Sequence, residues 1–120
     1  MARILLADDD QATLDLVSRA LTADGHAVVV AHDGQDALDK AAAAMPAFDV
    51  LLSDVQMPII DGIALAEQVR AAQGNVQIVL MSGLPSEMAR AGRIADPNVQ
   101  FLQKPFTLEQ VRAAVRKALG

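Results

Sequence analysis

Apolar positions along the chain follow two alternating rhythms. Short continuous runs at 4–7, 27–31, 48–52, 76–81 and 99–102 read as strands. Between them, apolar residues recur three or four apart, as on one face of a helix. Leu14, Val17 and Leu21 mark a first helix, capped by Asp10 and ended by Asp24-Gly25. An alanine-rich helix at 35–44 follows the Asp33-Gly34 turn and stops at Met45-Pro46. A third begins at the Asp61-Gly62 turn and runs to about 72, with Leu65, Ala66 and Val69 inward, before Gly74-Asn75 breaks it. A fourth, at 86–94, has weak periodicity and Gly92 inside it. The last helix has the fullest local signature. Thr107 and Gln110 form a capping box, Phe106 and Val111 a hydrophobic staple, and Leu108, Val111, Val115 and Leu119 one apolar stripe.

Five strands alternating with five helices predict a single α/β domain over 1–120 whose parallel sheet is covered on both faces. The strands are near-continuous apolar runs, as burial on both faces requires. Ligands of such sheets lie beyond the carboxyl ends of the strands. Asp8-Asp9 stand there after the first strand, Asp54 after the third, Ser82 after the fourth and Lys104 after the fifth. The second strand ends in His32-Asp33, which reads as turn material and places that strand at an edge. His26 and His32 sit in turn contexts and receive no function.

The bulk composition narrows the chemistry. Hydrophobic residues make up 52% of the 120 and aromatics 2%, so the core is aliphatic. Cysteine is absent, which removes disulfide and thiolate chemistry and fits a reducing compartment. No apolar run approaches the roughly 20 residues of a membrane span, and the start Met1-Ala2-Arg3-Ile4 leaves no room for a signal peptide. Together these predict a cytoplasmic protein with no membrane partner. A net charge of −5 repels a phosphate backbone and argues against nucleic acid. Three clustered carboxylates repel one another and call for a hard divalent cation such as Mg²⁺. Lys104 adds a compact positive charge and Ser82 a neutral donor. A carboxylate, a cation, a lysine and a hydroxyl are what phosphoryl transfer onto Asp54 needs, because that chemistry is mostly positioning and charge neutralisation.

At this point the sequence resembles a known family. Ile4-Leu5-Leu6-Ala7-Asp8-Asp9-Asp10, Asp54-Val55-Gln56-Met57-Pro58 with Asp61-Gly62, Met81-Ser82-Gly83 and Lys104-Pro105-Phe106 are similar, in order and end to end, to the receiver domain of two-component response regulators. The resemblance implies a flavodoxin-like (CheY-like) doubly wound sheet of order 2-1-3-4-5. It implies Asp54 as phosphoacceptor, and Mg²⁺ held by Asp9, Asp54 and the Gln56 backbone carbonyl, with Asp8 helping through water. Ser82 would hydrogen-bond the phosphoryl group and Lys104 would pair with it, next to a cis Lys104-Pro105 bond. Phe101 matches the family's switch aromatic. The surface of helix 4, strand 5 and helix 5 would then change partners. The donor would be a phosphohistidine on a histidine kinase or histidine phosphotransfer protein, and the output a downstream protein target. Gly83 departs from the alanine common at its position, and Gln56 and Leu84 occupy positions that tune dephosphorylation in the family.

A free-standing receiver of this kind would be a regulatory phosphoacceptor, not an enzyme with an external substrate. Three rivals remain: a small Mg²⁺-dependent phosphohydrolase, an interaction module that never takes phosphate, and a receiver cut from a longer regulator or hybrid kinase.

Overall fold

The computed structural model describes residues 2–91 and 98–120. Within them strand and helix alternate: β1 (Arg3–Ala7), α1 (Gln11–Ala23), β2 (Ala27–Ala31), α2 (Gly34–Ala43), β3 (Val50–Asp54), α3 (Gly62–Ala72), β4 (Gln77–Ser82), α4 (Pro85–Ala91), β5 (Val99–Gln103) and α5 (Leu108–Leu119). All four strand pairings are parallel and the order is β2-β1-β3-β4-β5. This is the flavodoxin-like order expected above, with β2 at an edge.

Helix starts are set by side chains. Asp10, Asp33, Asp61 and Thr107 each accept a backbone N–H at a helix N-terminus, and Thr107 with Gln110 completes the capping box. Each such cap stabilises its helix by about 1 kcal/mol.

Alternate strand residues face opposite sides of the sheet. Leu5, Ala7, Leu51, Ile78 and Leu80 pack with Ala37, Ala41, Ile63, Leu65, Ala66 and Val69 of α2 and α3. Ile4, Leu6, Val50, Leu52, Val79 and Met81 pack with Leu14, Val17, Leu21, Val111 and Val115 of α1 and α5. The central strands β1, β3 and β4 are buried almost throughout, whereas β2 and β5 are half-covered edges.

Three expectations shift. The third strand begins at Val50, not at 48. Phe48 lies outside it, its ring 5.2 Å from the Arg3 guanidinium, while the Asp49 carboxylate takes the Arg3 N–H and turns the chain into the sheet. At its other end the strand runs on through Ser53 to Asp54, which pairs with Met81 of β4, so the site acid is a strand residue. The stripe of α5 is also narrower than its spacing suggests. Val111 and Val115 are fully buried, with Ala114 and Ala118 beside them, but Leu108 is 37% and Leu119 42% exposed. Both leucines are the end residues of the helix. Helix α4 starts at Pro85, and positions 92–94 of the fourth predicted helix lie outside the described residues.

Candidate functional site

The strand order reverses between β1 and β3, and register decides what gathers there. Ala7 pairs with Ser53, Asp54 with Met81, and Ser82 with Gln103. One residue beyond these pairs come Asp8 and Lys104, so Asp8, Asp54, Ser82 and Lys104 lie along one rim of the sheet. Strands are about 4.8 Å apart, and Lys104 stands two strands from Asp54. Its long side chain crosses that gap, bringing Nζ 3.0 Å from Asp54 Oδ2 and 3.9 Å from Asp8 Oδ2.

The loop after β3 doubles back to hold Asp54 in place. The Gly62 N–H donates to the Val55 carbonyl at 2.8 Å, and the Gln56 N–H donates to Asp54 Oδ1 at 3.3 Å. On the other side, the Asp10 N–H donates to Asp8 Oδ1 at 2.9 Å. Asp8 is fully buried and Asp54 nearly so, while Asp9 is exposed.

Carboxylate oxygens of Asp8, Asp9 and Asp54 lie within 4.8 Å of one another. Three carboxylates against one ammonium leave two negative charges uncompensated at the rim. Buried Asp8 Oδ2 has no hydrogen-bond partner. An orphaned buried carboxylate oxygen in an all-oxygen cluster of excess charge two fits a hard divalent cation, and Mg²⁺ is such an ion.

Titration behaviour reflects the same strain. Burial pushes Asp8 up to about 6, with the Asp54 charge adding to it against the Asp10 N–H and Lys104. Burial likewise raises Asp54, more than the Lys104 hydrogen bond and charge lower it. For Lys104 burial works toward deprotonation, but Asp54, Asp8 and Asp9 outweigh it and hold the ammonium above its usual range. Because the folded value of Asp8 lies above its unfolded one, the folded state retains a proton that the unfolded chain releases. The contribution of Asp8 to the stability of the metal-free chain is therefore lost as pH rises from about 4 through about 6. A cation must displace that proton, so Mg²⁺ affinity is expected to fall about tenfold from pH 7 to pH 5. Calorimetric titration at the two pH values measures this, and an unchanged affinity would remove Asp8 from the cation's surroundings.

The remaining predicted residues are placed as follows. The Lys104-Pro105 peptide is cis. Phe101 is 37% exposed on β5. Gln56 contributes its N–H to Asp54, and its side chain is exposed. A Cβ on Gly83 would approach only the Lys104 Cβ, at 3.7 Å, so alanine would fit there. Ser82 is at the rim, but its hydroxyl lies 2.7 Å from Glu87 Oε1 of α4. Glu87 is the residue that sequence reasoning missed. Its only signal was an acid five positions after Ser82, in a helix of weak periodicity that gave no hint of burial.

The profile of the response regulator receiver domain matches residues 4–116. The response regulator MprA of Mycobacterium avium is 36% identical over 117 residues, covering 98% of this chain and 50% of that protein. This chain thus spans about half the length of the curated relatives it matches. A receiver domain protein from Clostridium thermocellum superposes with a TM-score of 0.89 over 99% of this chain and 94% of its own; at 22% identity it speaks for the fold alone. The response regulator TrrA of Thermotoga maritima, solved in complex with Mg²⁺ and BeF, matches with a TM-score of 0.85 and 25% identity, over 98% of this chain and 99% of that one.

Proposed function

This chain belongs to the response regulator receiver family, and from that premise we propose that Asp54 is its phosphoacceptor. The 3.0 Å pairing of Lys104 with Asp54 inside the three-carboxylate cluster carries this reading. A carboxylate oxygen of Asp54 attacks the phosphorus of a phosphohistidine on a histidine kinase or histidine phosphotransfer protein. The new O–P bond makes an acyl phosphate while the P–N bond breaks, and the imidazole leaves with its electron pair and takes up a proton. Lys104, already beside the attacking oxygen, pairs with the phosphoryl oxygens as charge develops on them.

Asp9, Asp54 and the Gln56 backbone carbonyl would hold Mg²⁺, with Asp8 acting through water; the relative TrrA was itself solved with Mg²⁺ and BeF. The ion supplies positive charge that the cluster lacks. Water later hydrolyses the acyl phosphate, so the chain acts on itself and turns over no external substrate. We assign residues 1–120 to one receiver domain and the protein to the cytoplasm; no helix among the described residues is long and apolar enough to cross a membrane.

The donor would dock beside the site. A groove of about 510 Å³ between α1 and the turn after β5 has Asp10 and Thr13 in its lining together with Leu16, Lys104, Phe106 and Leu108. It shares Lys104 with the site, and exposed Leu16 and Leu108 give it apolar walls. The output surface is formed by α4, β5 and α5, with Phe101 on it, and a downstream protein reads its change.

Intact mass after incubation with acetyl phosphate tests the reading. One phosphoryl group per chain is expected with Mg²⁺ and none with a chelator. A chain that stays unmodified with its metal site full would overturn it, and catalytic turnover of a phosphomonoester would replace it with a phosphohydrolase.

A further inference from the structure

The Ser82 hydroxyl stands at the rim where a phosphoryl group on Asp54 would need a donor, yet it is committed elsewhere. Its oxygen lies 2.7 Å from Glu87 Oε1 and 3.2 Å from the Leu84 carbonyl, and it accepts the Leu84 N–H at 3.3 Å. A hydroxyl has one proton to donate. The shorter contact, to a carboxylate, takes it, since charge-assisted bonds are the stronger kind. The pair is also sheltered, with Ser82 1% and Glu87 8% exposed. Glu87 lies on α4, in the first turn of the helix that follows the strand carrying Ser82.

We propose that Glu87 is a positioning residue that latches the Ser82 hydroxyl away from Asp54 in the unphosphorylated chain. This rests on the reading of Asp54 as phosphoacceptor. The phosphoryl group and Glu87 compete for a single proton, so Ser82 serves one only by releasing the other. Release leaves a buried carboxylate without its donor, which is costly unless α4 shifts to let Glu87 reach water. The competition therefore ties the state of Asp54 to the position of α4. It also sets a threshold, because part of the phosphoryl group's interaction with Ser82 is spent on breaking the latch.

The test uses beryllofluoride with saturating Mg²⁺ as the phosphoryl mimic, titrated against wild type, Glu87→Ala, Glu87→Gln and each with Ser82→Ala. Thermal melts establish which variants are folded. Removing the carboxylate is expected to tighten apparent beryllofluoride affinity about tenfold, the scale of a hydrogen bond to a charged group. Glu87→Gln, which keeps an acceptor oxygen but no charge, is expected to fall between, and it preserves shape if the alanine variant unfolds. In the Ser82→Ala background both changes are expected to have no effect, which a merely structural role for Glu87 would not produce. Unchanged or weaker affinity in a folded Glu87 variant overturns the latch alone. The same tightening without the Ser82 hydroxyl also overturns it. Failure of the wild type to bind beryllofluoride removes the phosphoacceptor reading, and the latch with it.

Discussion

Asp54→Asn is expected to abolish covalent phosphoryl incorporation while leaving the fold intact. A carboxamide lacks the anionic oxygen that would form an acyl phosphate, so the loss is complete rather than graded. The variant keeps an oxygen for the Gln56 N–H, which reaches Asp54 Oδ1 at 3.3 Å in the parent. It also removes a carboxylate whose ionised form burial disfavours, the reason its titration is raised despite Lys104. The melting temperature at pH 7 is therefore expected to hold or rise, and Lys104 keeps Asp8 at 3.9 Å as a partner. Intact mass after acetyl phosphate treatment, alongside a thermal melt, checks both halves. A folded variant that still gains one phosphoryl group would move the acceptor to Asp8 or Asp9. Incorporation lost together with a large drop in melting temperature would mean that Asp54 holds the fold rather than the phosphorus.

Gly62→Ala is expected to cost about 3 kcal/mol of stability and to impair the site as well, although residue 62 bears no chemistry. A Cβ there would lie 2.2 Å from the Asp54 carbonyl oxygen and 2.9 Å from both the Asp54 carbonyl carbon and Val55 Cα. These are backbone atoms at the end of the strand that carries Asp54, and no side chain can swing away to make room. The loop must retreat, which strains the Gly62 N–H bond to the Val55 carbonyl and displaces the Gln56 N–H from Asp54. Urea unfolding measures the first effect, and Mg²⁺ titration of the folded fraction the second. Against a total stability of about 5–15 kcal/mol, the loss is a substantial share. A variant as stable as the parent would show that the loop gives way freely and that the close approach is incidental.

Gly62 illustrates how far the sequence could be read. Next to Asp61 it announced a turn and a helix start, and both are present, with Asp61 accepting the Ala64 N–H. What requires glycine is the approach of another segment's backbone, which no local pattern records. Gly34 is the same case, since a Cβ there would meet the Ile60 carbonyl oxygen at 2.1 Å. The three aspartates tell a similar story. Spacing put Asp8, Asp9 and Asp54 at one rim, and they do cluster. Yet which of the adjacent pair is buried, and hence pushed up toward 6, depends on how Asp8 packs at the rim, where its N–H donates to the Ala31 carbonyl at the end of β2. Leu108 belonged to an apolar stripe by spacing but is part-exposed and forms a groove wall.

The amino-acid order alone determined the alternation of strand and helix, the caps, and the rank of Asp8, Asp54, Ser82 and Lys104 at strand ends. Those depend on periodicity and on contacts within a few residues, which a linear pattern contains. Tertiary structure alone decided that Lys104 reaches past β4 to Asp54, that Asp8 keeps a buried oxygen with no hydrogen bond, and that the single proton of Ser82 goes to Glu87. Each of those depends on register and on competition between groups brought together from separate elements, and neither exists until the sheet has formed.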